Sequence, residues 1–428
     1  MDARIVRTLG GTNSLKHKVN LHNLGYRQIG YIVLLLYFFA LTAHQTDSTF
    51  DSYFFRITFF LFVGFSILPL IQSKGKYALN GYAIWYICFI VYAFSSYAWA
   101  KYNKTDVFQF WIPMIQILGL CIFLPFYIRT EEDIRHIFKI VIISLIYAML
   151  ILLIRTPRDA WSTERMGLVI GLNPNTLGVR LAIGAVLLFY FWRNDTKNKS
   201  YLLLVGLFAI LSLFSGSKKA VIMLVGGIAG FEIMGTKNMK AAKFFRRIFA
   251  LVIVLFILGY SIFNDEYLYN ILGQRLERTF YFLTSGSIID KSTRERMYYI
   301  SVAQSLFKEH PFLGIGLNNF KSYIGRIGYL HVTYSHNNYW ELLSCLGIFG
   351  TMLFYGMHAY IIYSLLKLKK KNKSSLCILF LIIAVLYLIC DYGAVSYQNI
   401  FQYAIICLIY LYTQKEKRKI TYEKQYNN

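Results

Sequence analysis

The sequence predicts an all-α, polytopic integral membrane protein, and three observations support this fold class. Of the 428 residues, 57% are hydrophobic and only 15% are charged, whereas soluble domains carry roughly 25% charged residues. Apolar runs long enough to cross a bilayer, which takes roughly 20 residues, recur along the chain. Aromatic residues make up 18% of the sequence, and such a composition excludes an intrinsically disordered chain.

Twelve apolar segments follow one another, each separated from the next by charged or turn-forming residues. The first is not a cleavable signal peptide, because it follows a polar and basic stretch and lacks a small-residue cleavage site. The predicted spans are 29–43, 53–72, 78–99, 107–127, 134–154, 173–192, 200–214, 217–235, 247–263, 337–364, 374–392 and 396–413.

The distribution of basic residues predicts that both termini are cytoplasmic. In that orientation most Lys and Arg residues lie in cytoplasmic segments, including 237–247, 367–373 and the tail after 414, as the positive-inside rule requires. The net charge of +24 therefore reflects topology and attraction to anionic headgroups of the membrane lipid. Because spans separate the basic clusters, they form no continuous surface for nucleic acid.

The connections between spans differ in length, and one of them divides the chain. Residues 264–335 form a long extracytoplasmic loop with short helices, and long loops of this kind are commonly functional. The predicted regions are an N-terminal bundle of about nine spans at 1–263, the loop at 264–335, and C-terminal helices with a basic cytoplasmic tail at 336–428. The six cysteines are scattered through apolar runs and have no zinc spacing, and no acidic cluster suggests a metal. We expect neither a metal nor a cofactor.

Several basic residues lie at or near the predicted outer membrane face, against the usual bias. Arg180 falls about two turns into a span, where a charge normally faces a cavity or a partner. Taken singly these residues are explained by snorkelling or by loop salt bridges. Together they predict a site for a strongly anionic group, because guanidinium forks bind phosphate oxygens well. The candidates are Arg165, Arg180, Lys218, Lys219, Arg294 and Arg296.

His336 lies at the mouth of a predicted span, in the run His336-Asn337-Asn338-Tyr339-Trp340-Glu341. A neutral imidazole can take a proton from a hydroxyl near pH 7, which makes His336 a candidate general base. The alternative is a helix cap or another structural hydrogen bond. His331 is close enough in sequence to be a competitor or an auxiliary.

Four motifs in order resemble those of the bacterial O-antigen ligase and polymerase superfamily. Residues 335–350, SHNNYWELLSCLGIFG, resemble its His-Asn pair at the start of a span. Upstream, Arg296 leads through Pro311 to Gly314-Ile315-Gly316 and Phe320. Residues 165–178, RMGLVIGLNPNTLG, resemble its R-x-x-G and N-P-N sequence, and Ser215-Gly216-Ser217-Lys218 resembles its S-G-S-R turn, with Lys218 replacing the arginine.

The resemblance implies an all-helical membrane glycosyltransferase similar to the C-type class. Its donor and acceptor would be oligosaccharides linked to undecaprenyl diphosphate, at the outer face of a bacterial plasma membrane. In this interpretation His336 deprotonates the acceptor hydroxyl in an inverting, metal-independent transfer, and Arg165, Lys218 and Arg296 stabilise the diphosphate. Either Arg294 or Arg296 carries the family role. The sugar-binding candidates are Asn175, Asn337, Tyr339 and Glu341.

Three functions remain open, and the composition favours one of them. A polymerase of surface polysaccharide repeat units is preferred, because the Lys-, Tyr-, Ile- and Phe-rich composition resembles capsule polymerases of low-GC Gram-positive bacteria. A ligase that transfers a finished glycan is the alternative. A lipid-linked sugar flippase is the second alternative, but the two halves show no internal repeat and the cations lie away from the midplane. A separate flippase and a chain-length regulator are among the implied partners.

Overall fold

The structure is a computed structural model, and it describes residues 10–46, 48–72, 79–158, 160, 164–194, 199–235, 241–285, 291–329, 331–371 and 374–426. The described residues form helices joined by turns, with no strand among them. The predicted all-α class is therefore confirmed.

The long helices follow the order of the predicted spans. The N-terminal ones are α1 (Gly10–Ala43), α2 (Thr49–Gln72), α3 (Gly81–Ser95), α4 (Trp111–Phe123), α5 (Glu131–Arg155), α6 (Pro174–Asn194), α7 (Ser200–Phe214), α8 (Lys218–Met234) and α9 (Ala241–Asn264). After them come α10 (Gln274–Ser285), α11 (Lys291–Glu309), α12 (Asn319–Arg326), α13 (Asn338–Lys371), α14 (Ser375–Asp391) and α15 (Ile400–Tyr426). Every predicted span overlaps one of these helices; position 78, at the start of the third span, lies outside the described residues.

Length and composition identify the helices that can cross a membrane. Six are long and apolar enough to do so, and three shorter apolar helices accompany them among the described residues. The six are Thr49–Ile67, Gly81–Ala98, Thr105–Tyr127, Glu131–Arg155, Pro174–Asn194 and Asn338–Lys371, and the shorter three are Arg27–Ala43, Ser200–Phe214 and Ser375–Asp391. The polytopic membrane class is thus confirmed, whereas the count of twelve spans and their orientation stay predictions.

Helix α6 lies at the centre of the bundle. Its residues Leu181–Phe191 are all buried, and it packs mainly against α5, α7 and α8. A helix that is apolar on all sides belongs inside a bundle rather than at its surface. Arg180 in the second turn of α6 is consequently buried as well.

Three of the sequence motifs begin helices, and each supplies a side-chain cap. Asn173 Oδ1 accepts from Asn175 N at the start of α6, at 3.0 Å. Ser217 Oγ accepts from Ala220 N in α8, and Asn337 Oδ1 accepts from Tyr339 N in α13, at 3.0 Å. Asn and Ser are preferred there because their oxygens satisfy backbone N–H groups that the helix leaves unpaired.

The Pro311–Gly316 segment of the long loop packs into a break in α13. Gly347 has φ 66° and ψ −168°, a conformation that only glycine adopts readily. Across this break, Ile315 N donates to Ser344 O at 2.9 Å and Ile348 N donates to Pro311 O at 2.8 Å. The motif Gly314-Ile315-Gly316 therefore has a structural role, because its backbone forms hydrogen bonds with α13 next to the break.

The next residues of the loop bind the connection between α3 and α4. Asn319 Oδ1 accepts from Tyr102 N and Asn103 N, both at 2.9 Å. Leu317 N donates to Ser96 Oγ at 2.9 Å. These bonds join segments more than 200 residues apart in sequence, so the N-terminal bundle holds the loop in place.

Candidate functional site

A cavity of about 120 Å³ lies where α6, α8 and α13 begin and where α14 ends. These are the helix ends that the basic-residue distribution predicts to face outside. Five residues singled out from the sequence line it: Asn175, Arg180, Lys219, Arg296 and His336. The wall is completed by Asn173, Thr176, Val179, Tyr334, Tyr387, Cys390, Asp391, Gly393, Ala394, Val395, Asn399, Phe401 and Gln402.

Three of the lining side chains are cations from three different elements. Arg180 is 4% exposed and comes from α6, Lys219 comes from the first turn of α8, and Arg296 comes from α11. Lys219 Nζ donates to the Gly393 carbonyl oxygen at 3.0 Å. In the described part of the chain, no carboxylate lies within ion-pair distance of any of the three. The cavity is lined by three cations and one carboxylate, Asp391, so it has an excess of positive charge, which suits an anionic ligand.

The His336 ring lies among aromatic rings at the edge of the cavity. Its centroid is 4.5 Å from that of Tyr334 and 6.0 Å from that of Tyr299. Burial, then the nearby Arg296 and Lys219 charges, lower the pKa of His336 to about 4. The imidazole is consequently neutral at pH 7 and able to accept a proton.

The residues that flank His336 fix its backbone. Ser335 and Asn337 are fully buried, and Ser335 N donates to Glu341 Oε2 at 2.7 Å. Tyr339 donates its hydroxyl to the Leu388 carbonyl oxygen at 2.7 Å. Asn337, Tyr339 and Glu341 do not line the cavity, and the structure shows each of them in contacts within the fold.

Arg165 lies behind the cavity wall. Its Nη2 donates to Asn175 Oδ1 at 3.0 Å and its Nε donates to the Ser215 carbonyl oxygen at 2.8 Å. It thereby links the N-P-N motif to the S-G-S turn. Lys218 and Arg294 are also absent from the wall, and Arg294 is exposed.

Asp391 is a lining residue that the sequence reasoning missed. It is 1% exposed, and its carboxylate accepts from the Tyr355 hydroxyl at 3.0 Å and from Gln402 Nε2 at 3.4 Å. The signal was present, because an ionisable residue at the end of an apolar run is by default a candidate for function. Hydropathy identifies the last two spans but does not single out Asp391 or Gln402 as functional candidates.

One comparison with known proteins identifies the family of the central region. Residues 201–355 match the model of the family described as O-antigen ligase. The central region of the chain is similar to this family. This confirms the resemblance at the level of the ligase and polymerase superfamily, whose members are membrane glycosyltransferase-like enzymes. The chain has no significant match among curated protein sequences.

The matched region contributes only part of the cavity. Lys219, Arg296 and His336 lie inside the matched residues, whereas Asn175 and Arg180 precede them and Asp391 and Gln402 follow them. The site is thus completed by helices on both sides of the domain.

Proposed function

We propose that this protein is a polysaccharide polymerase that joins oligosaccharide repeat units carried on undecaprenyl diphosphate. The observation that carries the proposal is the shared cavity of His336 with Arg180, Lys219 and Arg296. A neutral base beside three cations that outnumber the one lining carboxylate, Asp391, matches the needs of glycosyl transfer from a diphosphate donor. The reaction would take place at the outer face of a bacterial plasma membrane, with both termini in the cytoplasm.

The cations would hold the diphosphate of the donor. Guanidinium and ammonium groups form charge-assisted hydrogen bonds to phosphate oxygens. The N-termini of α6 and α8 add partial positive charge at the same cavity. As the bond between the anomeric carbon and the diphosphate oxygen breaks, negative charge grows on that oxygen, and preorganised cations stabilise it. No metal ion is required for this role in the proposed mechanism.

His336 would act as the general base on the acceptor sugar. The acceptor hydroxyl oxygen attacks the anomeric carbon from the face opposite the diphosphate, and its proton passes to the imidazole. The new glycosidic bond forms as the bond to the diphosphate breaks, so the configuration at the anomeric carbon inverts. When the diphosphate is bound, its charge offsets those of Arg296 and Lys219, which makes the imidazole more basic than in the empty cavity.

The other candidates take supporting roles in this proposal. Arg165 orients Asn175, which lines the cavity and is the remaining candidate for a sugar contact. Arg296 is assigned to the diphosphate in preference to Arg294, since only Arg296 lines the cavity. Glu341 and Asn337 hold the backbone on either side of His336.

The test is the product made by purified full-length protein in detergent from a lipid-diphosphate oligosaccharide. A polymerase gives a ladder of longer lipid-linked glycans, whereas a ligase, which the description of the matched family favours, gives product only when a second acceptor is added. His336→Ala should reduce the rate by about 10²–10⁴-fold, the usual contribution of a general base. His331→Ala is the matched control, because the His331 side chain is 62% exposed. Absence of any transfer product would support a flippase and contradict the proposal.

A further inference from the structure

Among the residues that the structure describes, Arg180 is held by neutral partners only. Its Nη1 donates to the Thr42 carbonyl oxygen at 3.5 Å, and its Nη2 donates to Gln45 Oε1. The guanidinium carbon lies 5.5 Å from the ring centre of Phe401. Its Nε is buried and has no hydrogen-bond partner within the described ranges. A buried arginine normally has a carboxylate partner, so the use of an amide here calls for an explanation.

The segment that carries Gln45 is fixed on both sides. His44 Nδ1 lies 2.7 Å from Asp51 Oδ1, and Thr46 Oγ1 donates to Asp51 Oδ2 at 2.5 Å. His44 Nε2 also lies 2.8 Å from the Tyr147 hydroxyl. Since both neighbours of Gln45 are bound to the same buried carboxylate, its side chain extends from a backbone that cannot shift freely.

A second arginine near this segment, Arg155, has a carboxylate partner. Arg155 Nη1 donates to Asp51 Oδ2 at 3.1 Å, so its charge is compensated. An acidic side chain, Asp51, is thus available close to Gln45, but it is paired with Arg155 and His44 and not with Arg180. The charge of Arg180 is left available to the cavity.

We propose that Gln45 is a positioning residue that aims the Arg180 guanidinium into the cavity while leaving its charge uncompensated for the diphosphate. An amide oxygen orients the guanidinium by a hydrogen bond, as a carboxylate would, but does not compete with phosphate for its charge. This inference rests on the proposed function, because it takes the cavity to be a diphosphate site.

The experiment measures binding of inorganic pyrophosphate to purified full-length protein by calorimetric titration. Gln45→Glu, which keeps the side-chain length and adds an acidic partner, should weaken pyrophosphate binding about tenfold. Gln45→Met, which removes the acceptor at similar length, should weaken it by less. Gln109→Glu is the matched control, since it adds the same charge on an exposed residue that does not line the cavity and should leave binding unchanged.

A double-mutant cycle separates positioning from a general effect on structure. If Gln45 acts through Arg180, Gln45→Met should have no further effect on pyrophosphate binding in an Arg180→Ala background. Independent, multiplicative losses would overturn the inference, as would wild-type affinity of Gln45→Glu. Should pyrophosphate not bind the wild-type protein, or bind Arg180→Ala equally well, the diphosphate assignment itself fails together with the role of Gln45. The far-UV circular dichroism spectrum and Tm of each variant establish that it is folded.

Discussion

His336 has φ 59°, in the left-handed region that side chains other than glycine rarely adopt. Such a conformation costs about 1–3 kcal/mol and persists only where the surroundings enforce it. Here the buried neighbours Ser335 and Asn337 enforce it through bonds to Glu341 and to the first turn of α13. In this conformation the His336 imidazole lines the cavity and does not lie along the helix.

The lowered pKa of His336 predicts an unusual pH profile. Imidazole protonation blocks a general base, so activity is lost as pH falls through the pKa. An ordinary histidine titrates near pH 6.5, whereas the value here is about 4. We expect kcat/KM for lipid-linked donor, which reports the free enzyme, to stay constant down to about pH 5.

Removing a neighbouring charge should shift this profile in a known direction. Arg296→Gln takes away one of the charges that lower the pKa, so the acidic inflection should move up toward pH 6.5. The inflection is obtained by fitting normalised kcat/KM between pH 4 and 8. An inflection near pH 6.5 in the wild-type protein, unmoved by Arg296→Gln, would contradict the role given to His336.

Arg294 and Arg296 offer a comparison within one helix. Arg296 lines the cavity and Arg294 is exposed, although only Glu295 lies between them. Arg296→Ala should strongly reduce polymer formation and raise KM for the donor, while Arg294→Ala should change the rate less than about twofold, as expected for an exposed residue. Polymer length on gels and initial rates at equal protein concentration measure both. The reverse ranking would transfer the diphosphate role to Arg294.

At the scale of elements, α13 is two helical segments joined at Gly347. A Cβ at this position would overlap the Phe312 carbonyl oxygen, and the backbone angles would be strained. Gly347→Ala should therefore destabilise the protein by more than about 2 kcal/mol and lower its Tm in detergent.

The same helix supplies the control for that variant. Gly356 has no atom within 4 Å of an added Cβ, so Gly356→Ala should leave Tm unchanged or raise it. The reason for a rise is that alanine favours the helix over glycine by about 1 kcal/mol. Equal Tm values for Gly347→Ala and the wild-type protein would show that the break in α13 is not needed to seat the Pro311–Gly316 segment.

Hydropathy predicted the helices well, because a bilayer imposes a minimum apolar length on each span. It could not predict the break at Gly347, since a glycine in an apolar run is compatible with an unbroken helix. The long loop was recognised, but its bonds to the α3–α4 connection depend on contacts distant in sequence. A local pattern contains no information on such contacts.

The candidate site was proposed from basic residues that lie at the predicted outer face, against the usual distribution of charge in membrane proteins. Arg180, Lys219 and Arg296 stood out for that reason and meet in one cavity. Gln45 and Gln402 could not be identified, because an amide at a helix end has no distinctive spacing and only its partner shows its use. Asn337 was considered for sugar binding, and the structure shows it as the cap of α13.

At the scale of the whole molecule, the assignment of the cavity to the outer face depends on orientation. With exposed Cys88 replaced by serine, a cysteine at exposed Ser301 should react with an impermeant thiol reagent on intact cells. A cysteine at exposed Lys199 should react only after permeabilisation. Labelling of the Lys199 position alone on intact cells would place the cavity in the cytoplasm, where the proposed reaction does not occur.

The cavity wall extends from Asn173 to Gln402, and the last part comes from the final helix. During synthesis, a nascent chain with α6 and α8 already inserted has its cations but no closed site. Phe401, which contacts Arg180, emerges from the ribosome more than 200 residues after that arginine. The candidate site is therefore assembled only once α15 has been synthesised, and we expect chains truncated before α15 to lack the proposed activity.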